Sequence, residues 1–125
     1  MALEFTILGR LPSLNEYTSA NRSRAYFGAK MKSDSQKKVN SYIPDDMRNL
    51  NLDKEYIVSF KFYEPNQRRD IDNICGFAHK IILDTLTKAN VIVDDKQKYI
   101  KGLKDEFYFD KNNPRIEVRI EKVGE

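Results

Sequence analysis

Four stretches of the chain alternate apolar and polar residues, and one repeats them at helical spacing. Leu3 to Leu8 alternates well enough for a first strand, and Pro12 forbids its continuation within a sheet. Tyr56, Val58, Phe60 and Phe62 point one way from a second strand, with Ile57, Ser59, Lys61 and Tyr63 on its other face. Lys98 to Phe109 and Arg115 to Lys122 predict two more strands, and Asp110-Lys111-Asn112-Asn113-Pro114 reads as a hairpin loop between them.

The strongest helical pattern runs from about Asn73 to Ala89. Ile74, Phe77, Ala78, Ile81, Ile82, Thr85, Leu86 and Ala89 form its apolar stripe, and Asn90 suits its stop. Ser13 to about Ser23 reads as a polar loop. A helix with a poor pattern is expected between Arg24 and Ile43, closed by Pro44. The order β-α-β-α-β-β implies a two-layer α+β fold, a mixed β-sheet with two helices.

Residues 1–125 fit a single domain, and 40% hydrophobic residues with 7 Tyr and 7 Phe are enough to build a core. No apolar run is long enough to span a membrane, and the start lacks the features of a signal peptide. Cys75 is the chain's 1 cysteine, which rules out an internal disulfide and a Cys-rich zinc site; a reducing, cytoplasmic setting is expected.

The formal net charge of +3 says less than its distribution. Arg22, Arg24, Lys30, Lys32, Lys37 and Lys38 share their segment with the single acid Asp34. Lys96 to Lys104 is purely basic in its charges up to that point, and Arg68 and Arg69 precede an acidic cluster. Such clusters can neutralise phosphates along a nucleic-acid backbone, or simply solvate an exposed face.

The acidic cluster carries the chemistry. Asp70 and Asp72 stand two apart, so an extended segment would project both to one side, with Ile71 between them anchored in the core. Close carboxylates repel unless a cation lies between them, and hard oxygen donors suit Mg2+ or Mn2+ better than zinc. Asp94 and Asp95 follow the helix and reach the first pair only if the chain folds back along it. A carboxylate-bound Mg2+ on a basic surface fits phosphodiester hydrolysis, and Lys80 could stabilise the transition-state charge if it reaches the site. The competing reading makes Asp72 a helix cap, Asp70 a partner of Arg68, Asp94-Asp95 a turn and Lys80-Asp84-Lys88 an ion-pair ladder.

Arg69-Asp70-Ile71-Asp72-Asn73, Lys80-x-x-x-Asp84-x-Leu86 and Asp94-Asp95 together resemble the signature of RusA-type crossover-junction (Holliday-junction) endodeoxyribonucleases, carried largely by phages and prophages. Pro12-Ser13-Leu14-Asn15-Glu16-Tyr17 resembles the family's segment after its first strand. The resemblance implies a homodimer that cuts four-way or otherwise branched DNA by paired nicks, in recombination, repair or phage DNA debranching. It assigns Asp70, Asp72 and Asp95 as metal ligands, Lys80 as the catalytic lysine, and supporting roles to Asn15, Asn73 and Asp84.

In the founding member the lysine follows the Asp-Asn pair more closely. Here Ile74 to His79 intervene, about one helical turn more, which moves Lys80 along the axis by about 6 Å. The alternative function is therefore a junction-binding accessory protein with impaired catalysis. Expected DNA contacts are Arg68, Arg69, Asn73, Lys96, Lys98, Lys101 and Asn15, with Arg22, Arg24 and Lys30 as second choices. His79 is expected to face solvent and Cys75 to pack.

Overall fold

The computed structural model describes residues 2–124. Its elements are β1 (Ala2–Leu8), α1 (Leu14–Ser23), α2 (Ala25–Tyr42), a 3-10 turn (Asp45–Met47), β2 (Tyr56–Glu64), α3 (Ile71–Lys88), β3 (Ile100–Phe109) and β4 (Arg115–Lys122). The class is α+β with a mixed sheet, as expected, but three helices replace the expected two.

The additional helix lies in the segment read as a polar loop. Ser13 caps α1: its side chain accepts from the Glu16 N–H at 3.0 Å, and Glu16 Oε1 accepts from the Ser13 N–H at 3.2 Å. This reciprocal capping satisfies two backbone donors that a helix start otherwise leaves open. No α1 residue is fully buried, so the apolar pattern is weak. In α2 the buried positions are Gly28, Ser35 and Val39. A Cβ at Gly28 would lie 1.6 Å from Asn21 Oδ1 and 3.3 Å from Asn21 Cα, so a small residue lets α1 fold back on α2.

The sheet order is β1-β4-β2-β3, with β4 antiparallel to both β1 and β2, and β3 parallel to β2. This corrects the expected hairpin. β2 lies between β3 and β4, and Asp110 crosses its end with an N–H bond to the Glu64 carbonyl at 2.8 Å. Cross-strand rows build the inner face: Phe5, Val118 and Phe60 in one, Ile7, Ile116 and Phe62 in the next. Each of these six side chains is buried, as are Ile74, Phe77, Ala78, Ile81, Ile82 and Leu86 of α3. The apolar stripe of α3 thus packs as its spacing predicts.

Asn90 ends α3 in the left-handed region at φ 57°. Its N–H bonds the Thr87 carbonyl at 3.0 Å and the Val91 N–H bonds the Leu86 carbonyl at 3.0 Å. This pair of bonds closes the helix and turns the chain back toward the sheet.

Candidate active site

α3 begins two residues earlier than its apolar spacing predicts. Asp70 holds the cap position with extended backbone, and Asp72 lies in the first helical turn. The two aspartates therefore straddle a helix start rather than share one side of a strand. Ile71 is 59% exposed and does not anchor them in the core.

Neither carboxylate has the structural job weighed for it. Asp70 makes no side-chain capping bond, and Asp72 is not the cap. Among the described residues no Lys or Arg pairs with Asp70 or Asp72, and Arg68 is exposed without an Asp70 contact. Two exposed carboxylates thus stand at the helix N-terminus, a place that favours negative charge.

The surrounding scaffold is well tied. Arg69 donates to the Leu11 carbonyl at 3.0 Å and pairs with Glu16 at 2.7 Å. Asn15 donates its N–H to Asn73 Oδ1 at 3.0 Å. Gly76 admits Leu14, whose Cδ2 would lie 3.1 Å from an added Cβ, and Tyr17 packs on Phe77 with centroids 4.6 Å apart. The first turn of α1 is therefore docked beside Asp70 and Asp72. Arg69, expected to contact DNA, is committed to this scaffold. Glu16 was missed as its partner, although Ser13-x-x-Glu16 signals a capped helix there.

Asp95 stands at the other end of α3. It follows the helix C-terminus, and the charge that bears on it from α3 is Asp84. Asp72 and Asp84 are twelve residues apart, about 18 Å along the axis. Burial first, then the hydrogen bond with Asp94 and the Asp84 charge, push the Asp95 carboxyl above the usual carboxylate range. Asp94 goes the other way: against the cost of desolvation, hydrogen bonds with Asp95 and the Lys96 charge hold it lower. One chain thus carries Asp70 and Asp72 at one end of α3, and Asp84, Asp94 and Asp95 at the other.

Lys80 lies between them, exposed, without an ion pair among the described residues. It is eight residues past Asp72, about 12 Å along the axis, and one turn from Asp84. The i, i+4 ladder of the competing reading is absent among the described residues: Asp84 pairs with Lys32 of α2 at 3.9 Å, and Lys88 donates to Gln36 at 2.9 Å. α3 uses these positions to hold α2.

The remaining expected DNA contacts differ in availability. Lys98 and Arg68 are exposed. Lys96 lies 3.7 Å from Asp94 and Lys101 3.1 Å from Glu55, both at the surface, where such pairs are weak and exchange readily for phosphate. Of the second choices, Arg22 and Arg24 are exposed and Lys30 pairs with Asp34 at 3.2 Å.

His79 is not solvent-facing. Its Nε2 lies 2.7 Å from Asp105 Oδ1, and its ring packs on Phe60 with centroids 4.9 Å apart. Position 79 falls on the α3 face that looks over β3, where Asp105 is an inward-pointing residue level with Phe60.

A sequence model of the family described as endodeoxyribonuclease RusA matches residues 10–121. That span holds every residue of the site and nearly the whole chain. The chain belongs to the RusA endodeoxyribonuclease family. No curated protein matches it. The RusA family comprises nucleases that resolve Holliday junctions in recombination, so the activity of the family is DNA cleavage at a branch. The matched span runs through all three helices, β2 and β3 and ends within β4, while β1 precedes it.

Proposed function

We propose that this RusA-family chain is a Mg2+-dependent endonuclease that cuts four-way or similarly branched DNA as a homodimer. The observation that carries this reading is the pair Asp70 and Asp72, both exposed at the start of α3 and neither engaged by a cation or a capping bond. Carboxylates free of structural work, within a family of DNA nucleases, are suited to hold a hard cation.

The donor set fits Mg2+ in chemistry: Asp70, Asp72 and Asp95 offer oxygen ligands only. Within the described residues of one chain these three do not form a close ligand cluster, and the α3 charge that bears on Asp95 is Asp84. A twofold dimer that sets two copies of α3 head to tail would bring the first turn of one to the last turns of the other. Each site would then combine Asp70 and Asp72 of one subunit with Asp95 of its partner. When bound, the ion would supply Lewis-acid stabilisation and a more acidic water for phosphodiester hydrolysis.

The chain's own residues prepare the rest. Arg69, Glu16, Asn15 and Asn73 hold the helix start in place. Lys80 belongs with the Asp84 and Asp95 end, where its charge would meet the phosphate. Arg68, Lys96, Lys98 and Lys101 would contact the DNA backbone, which orients the branch without reading sequence.

Subunit mixing tests the assembly. A heterodimer of Asp72→Asn and Asp95→Asn chains has one intact site if the ligands come from two subunits. Mixing two inactive variants should then restore single-strand nicking of a junction. No restoration, with heterodimers verified, would place each site within one chain. The position of Lys80 favours a second reading, a junction-binding protein without turnover, which predicts tight junction binding and no incision by the native chain.

A further inference from the structure

A second group of donors lies one turn beyond Asp72 and plays no part in that reading. Cys75 and His79 are an i, i+4 pair on the face of α3 that looks over β3, and Asp105 projects toward them from the middle of β3. One ligand atom from each, Cys75 Sγ, a His79 ring nitrogen and an Asp105 carboxylate oxygen, lies within 4.8 Å of the other two. Among the described residues no other set of three such groups is this close.

We propose that Cys75, His79 and Asp105 form a site for one soft divalent transition ion of the zinc class, separate from the carboxylate site. Thiolate sulfur, imidazole nitrogen and one carboxylate oxygen are the donors such an ion prefers, whereas Mg2+ avoids sulfur and nitrogen. Tetrahedral ligand atoms around such an ion stand about 3.5 Å apart, so the contact between His79 and Asp105 at 2.7 Å opens by less than an ångström. Three protein ligands leave a fourth position for water.

The surroundings favour a cation. Asp72 adds a negative charge that bears on Cys75 from the preceding turn, and no Lys or Arg pairs with Asp72 or Asp105 among the described residues. Burial first, then the Asp105 and Asp72 charges, push the Cys75 thiol up, so the sulfur keeps its proton until an ion arrives. Binding then forms a metal–sulfur bond and releases the thiol proton to solvent, and coordination through His79 Nε2 would replace its contact with Asp105 and require the neutral imidazole's one proton to be on Nδ1. Phe60 and Phe62 close the floor beneath the His79 ring, with centroids at 4.9 and 6.5 Å. Both His79 and Asp105 keep 21% of their side-chain surface exposed, which leaves an entry path. The bound ion would pin the first half of α3, with Asp72, to β3.

Co2+ titration of the purified chain reads the site without any cleavage assay. The expected result is a thiolate-to-cobalt charge-transfer band that saturates at one ion per chain, is abolished by zinc and is untouched by excess Mg2+. Cys75 is the only thiol in the chain, so the band reports it directly. His79→Gln and Asp105→Asn should each weaken binding at least tenfold with an unchanged circular-dichroism spectrum. Asp95→Asn should leave the band intact. No band, or a band of equal affinity in His79→Gln and Asp105→Asn, would overturn the site. Neither result bears on whether the protein cuts junctions.

Discussion

Asn73 Oδ1 accepts the backbone N–H of Asn15 at 3.0 Å, which joins the first turn of α1 to the first turn of α3 beside Asp70 and Asp72. Both asparagines are expected at DNA; this contact in addition uses the Asn73 side chain, with the Asn15 backbone N–H, to fix where the helix start sits. Asn73→Ala should cost about 1 kcal/mol or less, because water can replace an exposed bond. Junction cleavage should fall about tenfold, since the α1 end would move relative to the aspartates. Thermal melting beside single-turnover cleavage checks this, and a loss of activity no larger than the loss of stability would contradict it.

Asp70→Asn should abolish Mg2+-dependent cleavage, by at least a hundredfold, with junction binding retained. Its effect on stability should stay within about 0.5 kcal/mol, as befits an exposed side chain with no partner. Denaturant unfolding and gel-shift binding separate these quantities. A large loss of stability would mean that the carboxylate serves the fold.

Asp95 offers a test by pH. Its carboxyl is raised in the folded chain by burial, the Asp94 contact and the Asp84 charge, so folding favours its neutral form. The metal-free protein therefore loses that stabilisation as the pH rises through the folded pKa, and holds it in full below the unfolded value. Asp95→Asn removes the penalty, so at neutral pH the metal-free variant should be more stable than the native chain, by up to about 0.5 kcal/mol. The gap should close as the pH falls. Melting curves across pH without divalent ions check this.

Lys80→Ala should abolish cutting and leave junction and metal binding intact. Lys80 stands eight residues past its own Asp72, about 12 Å along α3, so in the proposed dimer it would act beside its own Asp95, on the site completed by the Asp70–Asp72 end of the partner's helix. Near-normal turnover of the variant would remove Lys80 from the mechanism.

Much of the fold was legible because β2 and α3 bury large apolar side chains at regular spacing. Val58, Phe60 and Phe62, and Phe77, Ile81 and Leu86, mark their faces without ambiguity. α1 was hidden because none of its residues is fully buried, and its signal was the Ser13 and Glu16 cap rather than a stripe. α2 was blurred because Gly28 and Ser35 occupy its buried face, where close approach matters more than apolar bulk. Strand order escaped because alternation says which side of a strand is buried and nothing about its neighbour, so the insertion of β4 between β1 and β2 left no trace. The aspartates could be named from Asp70-x-Asp72-Asn73 and Asp94-Asp95. Their placement required knowing that α3 is unbroken for 18 residues and that Asp84 bears on Asp95. Asp105 was invisible as a partner of His79 because only the parallel pairing of β3 with β2 sets it across from α3.

The central claim is a metal-dependent nuclease for branched DNA, and cleavage of a synthetic four-way junction in Mg2+ tests it most directly. The native chain and Asp72→Asn are compared, with linear duplex as the control. The account predicts paired incisions by the native chain, none on linear duplex, and none by the variant, which still binds the junction. Incision by Asp72→Asn at the native rate, or tight junction binding without incision by the native chain in both Mg2+ and Mn2+, would contradict it.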